Sequence, residues 1–318
     1  MNSIPFLRFP SLVIQEVLRT MCPFELIHLS MTSKKTKQIL TIVSKPKFKN
    51  KFEIYAYINK DYGVTMKNGQ MTWGYRFVSL AHRDGRNEFN NKEQIRKYTK
   101  NKLEGFKTIC DCIQDVFGLK FNKFLLSMEK DHNQNRLTVD YLKIRQEIYT
   151  RFELRSVSGN DEDIKYLFDN LKFSDFLKIE SGITEDVQID LPENVDYLWV
   201  DDAKFVNLEQ LLKLKCGCIQ LDEISLTERD INAFLKSWIA LESNLNLVYF
   251  KIGFKFRRMD GILQDIPYEI GGSQHFQNKY IDHSLPSGWD IKRNDGKTAR
   301  IFSRRHDFFQ NFMEVIIY

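Results

Sequence analysis

Six short triplets of the form apolar-x-apolar punctuate the chain between residues 124 and 252, and they constrain its fold more than any other feature. They are FLL ending at Leu126, FEL at Leu154, LKI at Ile179, LWV at Val200, IQL at Leu221 and FKI at Ile252, with successive ends 28, 25, 21, 21 and 31 residues apart. Such a triplet reads as the centre of a strand, whose side chains alternate between faces. The intervening segments VDYLKIRQEIY (139–149), DEDIKYLFDNL (161–171), VNLEQLLKL (206–214) and LTERDINAFLKSWIALE (226–242) repeat their apolar residues at helical spacing. Thr227 and Asp230 form a capping pair for the last of them. Between Ile179 and Val200 no helical spacing occurs, so that pair of strands is expected to be joined by a loop.

Strand and helix in turn at a near-constant period predict a curved solenoid. The period lies in or near the roughly 20–29 residues of leucine-rich repeats. The expected fold class is therefore α/β: a small all-α three-helix head, then a leucine-rich-repeat-like α/β solenoid with added β-hairpins. The head is read from PFLRFPSLVIQEVLRTMCPFELIHLSMTSKKTKQIL (5–40). Val13, Ile14, Val17, Leu18 and Met21 share a helical stripe, Pro23 opens a second helix, and Ser33 caps a third. Four of the seven prolines, Pro5, Pro10, Pro23 and Pro46, frame this segment. Alternation from Phe52 to Arg83, with turn signals at Asn68-Gly69 and Asp84-Gly85, marks a β-rich stretch. WDIKRNDGKTARIF (289–302) reads as a hairpin closing the solenoid. The expected divisions are 1–46, 47–100 and 101–318.

Net charge is +5, from 47 basic and 42 acidic residues, a weak balance for a nucleic-acid binder. Seven lysines stand between Lys34 and Lys51 with no acid among them; they read as a solvated face and linker rather than as a phosphate- or membrane-binding patch. No apolar run reaches the length that spans a bilayer, and Arg8, Pro10 and Glu16 interrupt the apolar core that an export signal needs. Five cysteines are not a secreted disulfide framework. A cytoplasmic or nuclear chain is expected, with no membrane association.

Catalytic constellations are hard to find. Cys110/Cys112 and Cys216/Cys218 have the spacing of thiolate pairs, but Cys110 shares a stripe with Phe106, Ile109, Ile113 and Phe117, where a thiol is ordinary apolar filling. The six histidines form no metal-binding spacing. Gly271-Gly272 lacks the strand-to-helix setting of a phosphate cradle. No catalytic residue, metal or cofactor is expected.

The head resembles an F-box in its pattern of positions: Phe9-Pro10, Val17-Leu18, Pro23-Phe24-Glu25-Leu26 and LSMTSKKTKQI. DEDIKYLFDNLKFSDFLKI, LPENVDYLWV, NLEQLLKLKCGCIQL, SLTERDINAFLKSWIA and the hairpin at 289–302 resemble the type 2 F-box-associated domain of nematode F-box proteins. The resemblance implies a non-catalytic, substrate-recognising subunit of a Skp-cullin-F-box ubiquitin ligase. Its partners would be the Skp adaptor, the cullin scaffold and a protein substrate. The adaptor contact would be carried by Phe9, Pro10, Val13, Ile14, Val17, Leu18, Pro23, Phe24, Leu26 and Leu29. So small a head would draw its missing burial from that partner. A nucleic-acid binder using Lys45–Lys51 with Tyr55, Tyr57 and Trp73, and a scaffold without ligase function, are the competing readings.

Strand alternation names a second surface. If the flanks of each triplet point into the core, Glu153, Arg155, Lys178, Glu180, Tyr197, Trp199, Asp201, Gln220, Asp222, Tyr249 and Lys251 point outward together. Of these, Tyr197, Trp199, Asp201, Gln220, Tyr249 and Lys251 are expected to face a substrate, with Trp199 as anchor. Trp238, in register with Ile231, Phe234, Leu235 and Leu241, is expected in the core.

Overall fold

The computed structural model describes residues 8–48, 51–89, 91–157, 160–184, 187–254, 259–277, 282–306 and 310–318. Pro5 and Lys49 lie outside the described residues. The chain forms two compact units, residues 1–126 and 127–318.

The first unit opens with three helices, α1 (Ser11–Thr20), α2 (Pro23–Ser30) and α3 (Lys34–Phe48). Pro23 takes the first turn of α2, where its missing N–H costs nothing, and Glu25 accepts from the Cys22 N–H at 2.7 Å. Strands β1 (Glu53–Ile58), β2 (Tyr62–Asn68) and β3 (Met71–Val78) follow as an antiparallel meander. Next come β4 (Gly85–Phe89), β5 (Lys92–Tyr98), α4 (Lys102–Phe117) and β6 (Lys123–Met128). β5 pairs parallel to β3, β4 edges β5, and β6 pairs parallel to β1.

Helix α4 packs against β2 and β3 and also against α2 and α3. Its buried residues include Phe106, Ile109, Cys110, Ile113 and Phe117. The head is tied into this unit by aromatic edges, Phe24 on Tyr75 at 4.9 Å and Phe48 on Phe117 at 5.1 Å. Polar ties add to them: Lys37 Nζ to Asp115 at 2.8 Å, and the Thr41 hydroxyl to the Asp115 carbonyl at 3.3 Å. This corrects the expectation that an outside partner must supply the head's burial. The chain supplies much of it itself, from α4 and β3.

The second unit alternates α5 (His132–Arg145), β7 (Ile148–Ser156), α6 (Asp161–Asn170), β8 (Lys172–Ser181), β9 (Tyr197–Val200), α7 (Leu208–Lys213), β10 (Cys218–Leu221), α8 (Glu228–Ile239) and β11 (Tyr249–Phe254). The strands β7 to β11 pair parallel, in order. Then come β12 (Glu269–Gly271), β13 (Gln274–Gln277), β14 (Asp282–Leu285), β15 (Gly288–Lys292), β16 (Thr298–His306) and β17 (Gln310–Ile317). Triplet flanks Phe152, Leu154, Leu177, Ile179, Leu198, Val200, Ile219, Leu221, Phe250 and Ile252 are all fully buried. On that face Phe234 of α8 meets Phe250 at 4.7 Å. Trp238 is buried with it, and the Arg293 guanidinium lies 5.1 Å from its ring. The expected capping pair forms: the Asp230 carboxylate accepts from the Thr227 N–H at 2.8 Å, and the Thr227 hydroxyl accepts from the Asp230 N–H at 3.3 Å. Among the described residues no helix lies between β8 and β9.

No leucine-rich-repeat-like solenoid is formed. A solenoid unit touches only its sequence neighbours, whereas β11 is flanked by β17, the last strand of the chain, in antiparallel register with Tyr249 opposite Ile316. The sheet then continues as the antiparallel run β17, β16, β15, β12. The result is one mixed sheet, and the apparent repeat period is the length of a strand plus its crossover. The expected hairpin at 289–302 is present as β15 and β16, built into this sheet. Its buried Arg300 grips Asp290 through two hydrogen bonds of 2.5 and 2.8 Å and donates to the Gly272 carbonyl. Gly271 sits so close over this pair that a Cβ there would meet Arg300 and Asp290 at 2.1 and 2.2 Å. A side chain at 271 would have to displace this pair.

Candidate functional site

In the first unit, α1 carries two adjacent i, i+4 rows, about 100° apart around the helix, with different surroundings. Ile14 and Leu18 are buried, whereas Val13 and Val17 are 43% and 37% exposed. Phe9 and Leu12 are exposed beside the outer row, and Pro10 is exposed at the helix start. Of the ten residues expected to bind the adaptor, Phe9, Pro10, Val13 and Val17 thus lie on an open surface, and Leu29 is half-buried. Ile14, Leu18, Pro23, Phe24 and Leu26 do not. They are buried inside the unit, with Leu26 wholly inaccessible, so they hold the helices in place and are not available for contact. Exposed Leu12, Met31 and Ile42 are apolar surface residues that the stripe argument missed. The signal was present in α1, where four apolar residues at 13, 14, 17 and 18 make two rows, not one.

In the second unit, the outward faces of β7, β8, β9, β10, β11, β17 and β16 align Glu153, Lys178, Trp199, Gln220, Lys251, Glu314 and Phe302 as one cross-strand row. A second row aligns Phe176, Tyr197, Cys218, Tyr249 and Ile316. The expected outward residues are thus brought together. Trp199 is half-buried, donates through Nε1 to Asp222 at 3.2 Å, and has the Lys178 ammonium 3.9 Å from its ring centroid. Lys178 also pairs with Glu180 at 2.6 Å and Asp201 at 3.4 Å. Burial pulls the Lys178 pKa down, but hydrogen bonding to Glu180 and the charge of Asp201 outweigh it and hold it above the ordinary lysine value. Burial lifts the Asp201 carboxyl, against the pull of Lys178.

Gln220 departs from its expected role. It is buried between the Tyr197 hydroxyl, which donates to it at 3.3 Å, and Asp222, to which it donates at 3.2 Å. It positions neighbours and offers little surface of its own. Tyr249 is half-buried, hydrogen-bonded to Glu314 at 3.2 Å, with burial first among the causes that push its phenol pKa up. Lys251 is half-buried over the Phe312 ring at 4.1 Å. Cys110, Cys112, Cys216 and Cys218 are all buried, and burial raises the Cys216 thiol to about 12, a poor thiolate former. Among the described residues no group of three or more histidines, cysteines or carboxylates could hold a metal, and no helix is long and apolar enough to cross a membrane.

Residues 6–48, which include α1 to α3, match the F-box domain, and residues 186–252 match the F-box associated domain. The chain thus carries an F-box match at its N-terminal end and an F-box associated match in its second unit. It is also similar to the Skn-1 dependent zygotic transcript 15 protein of Caenorhabditis elegans, 21% identical over 347 aligned positions that cover 92% of each chain. No solved structure matches it. The F-box match contains the exposed row of α1. The F-box associated match runs from before β9 into β11 and so contains Tyr197, Trp199, Asp201, Gln220, Tyr249 and Lys251.

Proposed function

We propose that the protein is the substrate-recognition subunit of a Skp-cullin-F-box ubiquitin ligase, non-catalytic itself, with the F-box docked on the Skp adaptor and the outer sheet face of the second unit receiving a protein substrate. The observation that carries the first half is the exposed apolar row Phe9, Leu12, Val13 and Val17 inside the matched F-box. A helix that already buries Ile14 and Leu18 has no need of a second apolar row for its own fold. Such a row exposes area that a partner would recover. For the second half, the support is the half-exposed Trp199 at the centre of a charged face, a residue type favoured as a binding anchor. Catalysis would then belong to other subunits, and this chain would contribute proximity, raising the effective concentration of the tethered substrate.

The test is co-purification of the full chain with a Skp adaptor from a reconstituted mixture. Val13→Asp with Val17→Asp should abolish capture while leaving the melting temperature within about 2 °C, because exposed changes shift stability little. Capture at the wild-type level by that variant would overturn the docking assignment.

A further inference from the structure

The first unit also contains a basic depression of about 660 Å³, lined by Lys51, Phe52, Glu53, Lys67, Gly69, Gly118, Leu119, Lys120 and Asn122. Its lysines come from three separate places: Lys51 follows α3, Lys67 is on β2, and Lys120 is in the link from α4 to β6. A fourth, Lys45, lies across Gly118, a left-handed residue at φ +67°. A Cβ there would stand 3.2 Å from Lys45 Cγ, so the glycine makes room for the lysine stem. The floor is fixed by backbone and side-chain bonds. Asn122 accepts from the Ile54 N–H at 2.7 Å and donates its own N–H to the Ile54 carbonyl at 2.9 Å, while the Lys51 N–H donates to Phe48 at 3.0 Å.

Like charges brought together from three segments repel, and opposing carboxylates would relieve them. Among the described residues, Lys51, Lys67 and Lys120 carry no ion pair. Glu53 stands opposite Lys67 in the strand register and lines the depression, where its carboxylate takes the Tyr55 hydroxyl and stays negative. Three lysines against one carboxylate leave the depression net positive. We propose that this depression binds a compact polyanion bearing two or more phosphate groups, with Lys51, Lys67 and Lys120 as ligands and Lys45 at the rim.

Several features select that class. The volume is that of a small-molecule site, roughly 300–1,000 Å³, and a concave site of this size suits a compact ligand better than an extended strand. Its lining cations are lysines alone, whose ammonium groups serve as point charges to phosphate oxygens from any direction. The lysine run from Lys34 to Lys51, read from sequence as a solvated face, is thereby given a partner at its C-terminal end.

The experiment is calorimetric titration of inorganic tripolyphosphate into the full chain at low and physiological salt. One saturable site that weakens as salt rises is expected. Lys67→Gln with Lys120→Gln should weaken it at least about 10-fold, since each lost charge-assisted contact is worth that order. Lys35→Gln with Lys60→Gln, which removes the same charge from exposed positions outside the depression, should leave it within about 2-fold. Both pairs should melt like the parent. Absence of saturable heat up to about 5 mM ligand, or equal weakening by both pairs, overturns the proposal. So does a single-stranded RNA oligomer that binds more tightly than tripolyphosphate and is unaffected by Lys67→Gln with Lys120→Gln.

Discussion

Leu26→Ala separates the two roles that the F-box helices can play. Leu26 is wholly buried in the first unit, between Phe24, which edges Tyr75, and Ile27, which is equally inaccessible. Truncating it removes three heavy atoms from a packed site and leaves a cavity that α2 can close only partly, because Pro23 and the Cys22–Glu25 bond fix its start. The cost should be about 3 kcal/mol, within the range of buried Leu→Ala changes. For a unit of this size that lowers the melting temperature by roughly 10 °C. Hydrogen exchange should localise the loss to residues 8–126, with the second unit unaffected. Binding to the Skp adaptor, measured by surface plasmon resonance well below the melting transition, should fall by less than about 3-fold. By contrast Val17→Asp should cost at least about 10-fold in affinity through an unpaired carboxylate at a dry contact, with almost no change in melting. The opposite pattern, a folded Leu26→Ala that loses the adaptor beside a Val17→Asp that keeps it, would refute the assignment of buried and exposed rows.

Trp238→Ala should cost roughly 3–5 kcal/mol and lower the melting of the second unit by about 10 °C, since the ring is buried and carries Arg293 on its face; a shift below 2 °C in differential scanning calorimetry would contradict this. The Arg293 hydrogen bond holds Asp295 down to about 2, so its contribution to stability is complete above the ordinary carboxylate range and is lost as pH falls toward 2. Asp295→Asn should therefore be less stable than the parent in urea denaturation at pH 6 and closer to it at pH 2, and a gap that widens on acidification would reverse the sign. Trp199→Ala should leave adaptor capture intact and cost about 1 kcal/mol for the lost bond to Asp222, while proteins retained by the wild-type chain under proteasome inhibition disappear from affinity purification; an unchanged set would remove Trp199 from the recognition surface.

What the sequence could and could not disclose follows from the range of each interaction. Strand parity is local, and it placed Leu198 and Val200 inside and Trp199 outside without any knowledge of neighbours. Helix capping is local too, and Thr227 with Asp230 behaved as its spacing required. The solenoid failed because the period of strand plus crossover is shared by any run of parallel strands, and what distinguishes a stack from a sheet is which strand sits beside β11. That neighbour, β17, lies some sixty residues away, beyond anything a local pattern can report. The division of the adaptor-contact set into buried and exposed residues was hidden for a similar reason. One helix with two apolar rows cannot reveal which of them meets α3.

The placement of β17 also narrows the recognition surface. Because the outer face of β11 continues onto β17 and β16, it is not a free edge at that side. Leu285 of β14, Phe302 of β16 and Ile316 of β17 form a buried cluster there, with Tyr249 and Phe276 of β13 packed against it. The β13–β14 hairpin is held by the bond from Arg304 to the Ser284 carbonyl at 3.1 Å and by the Phe276–Tyr318 ring contact at 5.9 Å. Apolar side chains on the outer face are thus already covered next to Tyr249, and Tyr249 itself spends its hydroxyl on Glu314. Moving from β11 toward β8, the cover ends and the charged side chains begin, with Trp199 between the two regimes. A partner that needed Tyr249 would have to displace the hairpin. One that seats on Trp199 needs only the Lys178 ammonium to swing off the ring toward Glu180 and Asp201, its existing partners. The cheaper motion assigns the centre of the candidate surface to Trp199 and Lys178 and makes Tyr249 part of its boundary.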